Sequence, residues 1–185
     1  MDGWLFIGGA TCLDFLNTLR DRWAQQPTET LREPVDLAAW AVAAGLADEL
    51  VPIDDAGLTR ARAVRSTLFR LLTGGHGTSA ADIAEFNELA GAAPRPTLVL
   101  PAGTDSPSVQ RPRATTGSEI LSLVVANALD VLAEHGPAPA KECEHERCGL
   151  RYLDISRGGR RRWCSMARCG NRVKVQRYDR RHQPT

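Results

Sequence analysis

Four cysteines stand close together near the carboxy end of the chain, as Cys143-x4-Cys148 and Cys164-x4-Cys169. Two close pairs joined by a short loop encode a tetrahedral metal site. Each pair supplies two adjacent corners, and thiolate sulfur at about 2.3 Å suits zinc. With all four corners filled by sulfur, no position is left for a reactive water, so the expected ion is one structural Zn2+. Two disulfides and a redox-sensing site are the competing readings of the same residues. His145, inside the first pair, and the more distant Asp154 and His182 are lesser ligand candidates. Cys12 stands alone in an apolar stretch and reads as a small buried hydrophobe. No histidine lies beside it to make a catalytic thiolate.

The segment that holds the four cysteines is also basic. Residues 1–140 carry 10 basic and 17 acidic side chains, while residues 141–185 carry 13 basic and 5 acidic. The net charge of +1 therefore conceals a body at −7 and a tail at +8. Such a sign change suggests a polyanion-binding appendage. The candidate nucleic-acid contacts are Arg160, Arg161, Arg162, Arg168, Arg172, Lys174, Arg177 and Arg181. On a helix, Lys174, Arg177 and Arg181 share a face. Arginine pairs bidentately with phosphate and stacks on bases, which suits DNA. Zinc held by four thiolates is itself a dianion, so some arginines should serve the metal site, and Arg168 and Arg172 flank the last ligand. An acidic protein partner or RNA is the alternative ligand for this surface.

The elements that must position these groups follow from local pattern. Residues 150–155 read as a strand, Gly158-Gly159 as a tight turn, and residues 160–163 as the returning strand. The second cysteine pair then leads into a helix from about 167 to 181. A knuckle, a hairpin and a basic helix that carries the last ligands make a treble-clef-like finger. So few apolar residues cannot stabilise it alone, and metal would supply much of the folding free energy.

Ahead of it, Gly136-Pro137-Ala138-Pro139-Ala140 reads as a stiff linker, dividing a helical domain at 1–136 from the finger at 137–185. In the first part, Gly8-Gly9 marks a break before a helix near 12–17. Pro34 opens a helix over 34–46. Asp54 or Asp55 caps one that ends at Gly74-Gly75, with Leu58, Ala61, Val64, Leu68 and Leu72 on one face. Thr78 or Ser79 caps another that carries Ile83, Phe86 and Leu89. Residues 97–100 and 108–115 suggest a small β-hairpin. Residues 118–135 form the most apolar helix, apolar on nearly all sides and so expected in the core. The fold class is therefore mainly α with a small β-hairpin, followed by the four-cysteine finger.

Asp14, Asn17, Arg20 and Arg65 are polar groups that could line a ligand pocket in the helical domain, the seat of a small-molecule effector. Caps and salt bridges are the plainer role for all four. No nucleophile–base pair or phosphate loop accompanies them, so no enzyme activity is expected. No segment has the roughly 20 apolar residues that a membrane helix needs. The start lacks a secretory pattern, so a cytoplasmic, reducing location is expected. A palindromic target would call for a homodimer.

At Arg162-Trp163-Cys164-Ser165-Met166 and Cys169-Gly170-Asn171-Arg172-Val173-Lys174, the chain resembles the CGNR zinc-finger family, named for the string at 169–172. The likeness extends to Cys143, Cys148 and Tyr152-Leu153-Asp154, over about 140–182. The first part resembles ABATE, the stress-induced transcription-regulator domain usually attached to that finger. This likeness rests on Gly8-Gly9, Leu13-Asp14-Phe15-Leu16-Asn17-Thr18 and Pro34-Val35-Asp36-Leu37. The resemblance implies a bacterial transcription regulator with zinc on the four cysteines and DNA as its ligand.

Overall fold

A computed structural model describes residues 3–175. Helix α1 (Thr11–Leu16) is short and buries Cys12, Leu13, Phe15 and Leu16. A hairpin that the sequence pattern did not suggest follows, β1 (Leu19–Arg20) against β2 (Thr28–Glu29). Helix α2 (Pro34–Ala43) opens on its proline, whose missing N–H costs nothing in a first turn. The Asp36 carboxylate accepts from the Arg32 and Glu33 amides at 2.8 and 3.0 Å and closes that turn.

Helix α3 (Asp55–Thr73) starts where Asp54 Oδ1 accepts from the Gly57 amide, 2.8 Å away. It ends at Gly74, whose φ of 75° is open to glycine and strained for other residues. Its five expected apolar positions are all buried. Helix α4 (Ala80–Gly91) is capped by Ser79 and buries Phe86 and Leu89. Ile83, expected on the same face, turns to solvent and is 51% exposed. Strands β3 (Thr97–Val99) and β4 (Ser108–Gln110) pair as expected but more briefly than the sequence pattern allows.

Helix α5 (Gly117–His135) packs on α1, α3 and α4 and is the centre of the body. Phe15 and Trp40 meet there with ring centroids 5.1 Å apart. Among the described residues no helix is long and apolar enough to cross a membrane. The architecture is mainly helical, with small antiparallel hairpins and a four-cysteine cluster after the helical part.

One expected pairing is corrected. Strand β6 (Arg151–Leu153) pairs with β5 (Ala140–Glu142) and not with residues 160–163. The end of the proline-rich linker is thus itself a strand, and the first cysteine pair sits in the hairpin loop between β5 and β6. The ladder continues into that loop, where the Cys143 amide donates to the Leu150 carbonyl at 2.9 Å. Residues 156–163 form a loop instead, with Gly158 and Gly159 both at positive φ.

Strand β6 also joins the two regions. Side chains alternate across a strand. Leu153 enters the helical core while Tyr152 lies among the cysteines. The Leu153 amide donates to the Gly8 carbonyl at 2.7 Å. Leu5 and Ile7, from the start of the chain, pack against the cysteine cluster in return.

Candidate metal centre and basic surface

The sulfurs of Cys143, Cys148, Cys164 and Cys169 lie within 4.8 Å of one another, and all four residues are buried. Cys164 Sγ is 3.6 Å from both Cys148 Sγ and Cys169 Sγ. Tetrahedral zinc at its usual bond length separates sulfurs by about 3.8 Å. The spacing fits that ion and is far beyond a disulfide bond of about 2.05 Å. All four cysteines are unbridged.

Without an ion the four sulfurs could not all carry charge. With nothing between the sulfurs, hydrogen bonds from Cys148 and Cys164 would hold the Cys143 thiol far below its ordinary range. The hydrogen bond to Cys143, in which Cys148 is the donor, would in turn push the Cys148 thiol up to about 12. Four thiolates share one small space only around a cation that neutralises them. The donor set therefore fits one structural zinc.

Each pair is shaped by its own local bonds. In the first, the Cys148 amide donates to the His145 carbonyl at 3.0 Å. The His145 Nδ1 accepts from the Arg147 amide at 3.2 Å, so His145 closes the turn and stays outside the cluster. In the second, Ser165 Oγ accepts from the Arg168 amide at 3.0 Å and starts a wide, π-type turn, Met166–Gly170. The Cys164 amide donates to Cys143 Sγ at 3.3 Å, linking the pairs. At Gly170 a Cβ would stand 2.6 Å from Met166 Sδ and 3.2 Å from the Trp163 ring, so a larger residue there would have to displace the Met166 side chain. The chain continues helically over 171–175.

Residues 140–182 match the CGNR zinc finger, and residues 9–135 match ABATE, described as "Putative stress-induced transcription regulator". The chain belongs to the ABATE family and carries a CGNR zinc finger. A search of curated proteins found no match.

Within the CGNR finger, Asp154 is an organiser and no ligand. Its Oδ2 accepts from Lys141 Nζ at 2.8 Å and from the Arg161 amide at 3.0 Å, and its Oδ1 accepts from the Ser156 amide at 3.0 Å. These bonds, that from Lys141 first, hold its carboxyl well below the usual carboxylate range. His182 lies outside the described residues.

The arginines divide by task. Arg161, expected to face nucleic acid, is turned inward. Its guanidinium donates to the carbonyls of Trp163 at 2.9 Å, Leu153 at 3.2 Å, Ile7 at 3.1 Å and Cys164, and it lies 4.3 Å over the Tyr152 ring. Tyr152 itself donates to the Arg161 carbonyl at 2.7 Å. Arg162 is exposed but holds Glu144 at 2.6 Å and covers the Trp163 ring at 5.1 Å. Arg160, Arg172 and Lys174 are exposed, and Arg168 is half-buried. Of the two cations expected to serve the sulfurs, Arg168 is half-buried and Arg172 exposed; Arg161, expected at the nucleic-acid surface, reaches a ligand residue through the Cys164 carbonyl. Arg177 and Arg181 lie outside the described residues. An open cleft of about 530 Å³ runs between Arg160, Arg162, Trp163, Ser165 and Met166.

In the ABATE region, three of the four candidate pocket residues have structural work. Asp14 Oδ1 accepts from the Gly8 amide at 2.7 Å, and burial pushes its carboxyl up to about 6. Asn17 grips β6 from both sides, donating to the Arg151 carbonyl and accepting from the Arg151 amide, each at 2.9 Å. Arg65 is 3% exposed and donates to Thr18 Oγ1 and Glu29 Oε1, both at 2.8 Å. Arg20 lines an open cleft of about 470 Å³ with Trp4, Glu29 and Asp36. Cys12 is fully buried, and that burial pushes its thiol up to about 12, which suits a packing role.

Sequence reasoning missed Arg161 as the centre of the finger and Asn17 as its anchor. Neither carries a spacing signal, because each bonds backbone carbonyls or amides, which any residue type supplies, and Asn17–Arg151 and Arg161–Ile7 also join residues far apart in sequence.

Proposed function

We propose that this chain is a DNA-binding transcription regulator in which the zinc finger holds a basic surface against the phosphate backbone. The observation that carries this reading is the division among the finger's cations. Arg161 is consumed by internal bonds and Arg162 by Glu144, whereas Arg160, Arg172 and Lys174 stay exposed on a rigid, metal-shaped scaffold. Cations held this way neutralise phosphates and release counterions, which is the main source of affinity for duplex DNA. Membership of a transcription-regulator family supports the same reading. The zinc is structural, since a site closed by four sulfurs offers no position for substrate, and no catalytic step is assigned. The reading requires a reducing compartment, in which thiolates stay available to the ion.

Fluorescence anisotropy with a labelled duplex, repeated across salt concentrations, tests it. Affinity should fall steeply with salt, by a log–log slope of about −0.9 for each phosphate neutralised. The double change Arg172→Gln and Lys174→Gln should weaken binding at least about tenfold and lower that slope by about 2, with zinc content unchanged. A flat salt response, or undiminished affinity of the double variant, would overturn the proposal. Tighter binding to an acidic protein or to RNA than to duplex would do the same.

A further inference from the structure

A second concave surface lies on the helical body, away from the finger. It is a groove of about 560 Å³ where the ends of α2 and α4 meet α5 and the two legs of the β3–β4 hairpin. Its volume falls in the range of small-molecule sites, about 300–1,000 Å³. The floor is apolar, formed by Leu46, Ala90, Leu123 and Leu129 among others. Polar groups stand at its edges. Asn127 is fixed in orientation, because its Oδ1 accepts from the Cys12 amide at 3.0 Å, and this leaves the amide N–H groups to donate elsewhere.

The hairpin brings two positive charges to the same rim. The register that pairs Thr97 with Gln110 places the residues just outside it, 95–96 and 111–113, together at the hairpin mouth. Arg95 and Arg111 both line the groove there. Their neighbour Arg113 is neutralised by Asp48, 2.8 Å away, and donates to the Gly45 carbonyl at 2.9 Å. Among the described residues, neither Arg95 nor Arg111 pairs with a carboxylate. Pro94, Pro96 and Pro112 stiffen both legs and hold these like charges at one end of an apolar trough. Asp130 is the one carboxylate in the groove's lining and forms an ion pair with neither arginine, so both guanidiniums are available to an anion, and the trough beside them suits an apolar body.

We propose that this groove binds a small carboxylic acid with an aryl or aliphatic body, its carboxylate held by Arg95 and Arg111 and its body lying on the α4–α5 floor. The site is distinct from the basic surface of the finger and does not rest on DNA binding. Calorimetric titration of the full zinc-loaded chain with benzoate, phenylacetate and octanoate tests it, with benzamide and phenylacetamide as neutral controls. At least one acid should bind with Kd below ~10 mM and at least about tenfold more tightly than its amide. Arg95→Gln with Arg111→Gln should remove about tenfold or more of that affinity. Ala126→Phe, which fills the groove and leaves both arginines in place, should weaken binding too, while the zinc content of both variants stays at that of the parent. Failure of all three acids to bind, equal binding of acid and amide, or full affinity in the double arginine variant would overturn the proposal.

Discussion

In the helical body, 25 buried residues, joined by Leu153 of β6, bring every helix to a common core. In the finger, the buried cluster has six members, and four of them are the cysteines. The remaining two, Leu150 and Tyr152, cannot offset the entropy of ordering a loop-rich segment. The body is thus held by burial of apolar surface. The finger is held by a metal and by polar bonds that converge on Arg161 and Asp154. The difference teaches how one chain combines a rigid polar surface with an ordinary core. A core large enough to fold the finger would need apolar residues where the exposed arginines now stand.

Removing the metal should break the comparison most sharply. Binding of structural zinc is worth on the order of 10 kcal/mol in small modules. Stripping it with a strong chelator, or changing Cys164→Ser, should dissolve the order of residues 140–175 while most helical signal survives. Circular dichroism combined with atomic emission would check this, with one zinc per chain expected beforehand. A stripped chain that unfolds at the same denaturant midpoint and with the same cooperativity as the loaded one would show that the ion does not hold the finger.

The two regions also differed in how much their sequence disclosed. The body's helices could be read from caps and period: Asp54, Ser79 and Pro34 mark their starts, and Leu58 to Leu72 keep one face. The four ligands could be read from spacing alone, because a metal demands a fixed set of donor atoms. The strand partner of β6 was misplaced because residues 160–163 look as extended as residues 140–142, and short strands carry little pattern. The choice is made by side-chain bonds to the backbone, Asp154 holding the 156–161 loop and Arg161 reaching Ile7, which leave no mark in apolar periodicity, and the second joins residues far apart in sequence. Asp14 and Asn17, named as pocket candidates, bond backbone atoms, and Arg65 bonds the half-buried Glu29 carboxylate, partners that the local pattern did not indicate.

A smaller effect should come from the join itself. Asn17 is 5% exposed and carries two hydrogen bonds to the Arg151 backbone. Asn17→Ala leaves a buried N–H and a buried carbonyl without partners, at a cost of about 1–3 kcal/mol. The loss falls on the contact between β6 and the body, so zinc should stay bound while finger and body unfold less cooperatively. Denaturant titration followed by both a far-ultraviolet signal and the Trp163 environment should then give two separated transitions. Coincident transitions at the parent midpoint would mean that Leu153 and the Gly8 bond suffice to couple the regions.

The smallest expected effect sharpens the body side of the comparison, since it concerns a charge that the apolar core disfavours. Burial raises the Asp14 carboxyl to about 6 from its ordinary 3.8. The folded state therefore holds a proton that the unfolded state has already released between these values. The stabilisation this proton gives is fully present below about pH 4 and is lost as pH rises through about 6. Asp14→Asn keeps an acceptor for the Gly8 amide and removes the titration. At pH 7 the variant should be more stable than the parent by on the order of 1 kcal/mol, and the gain should vanish towards pH 4. Acid release of zinc acts on both proteins alike and cancels in their difference. Stability curves of parent and variant that run parallel from pH 4.5 to pH 7.5 would show instead that the Gly8 amide and solvent already satisfy the charged form.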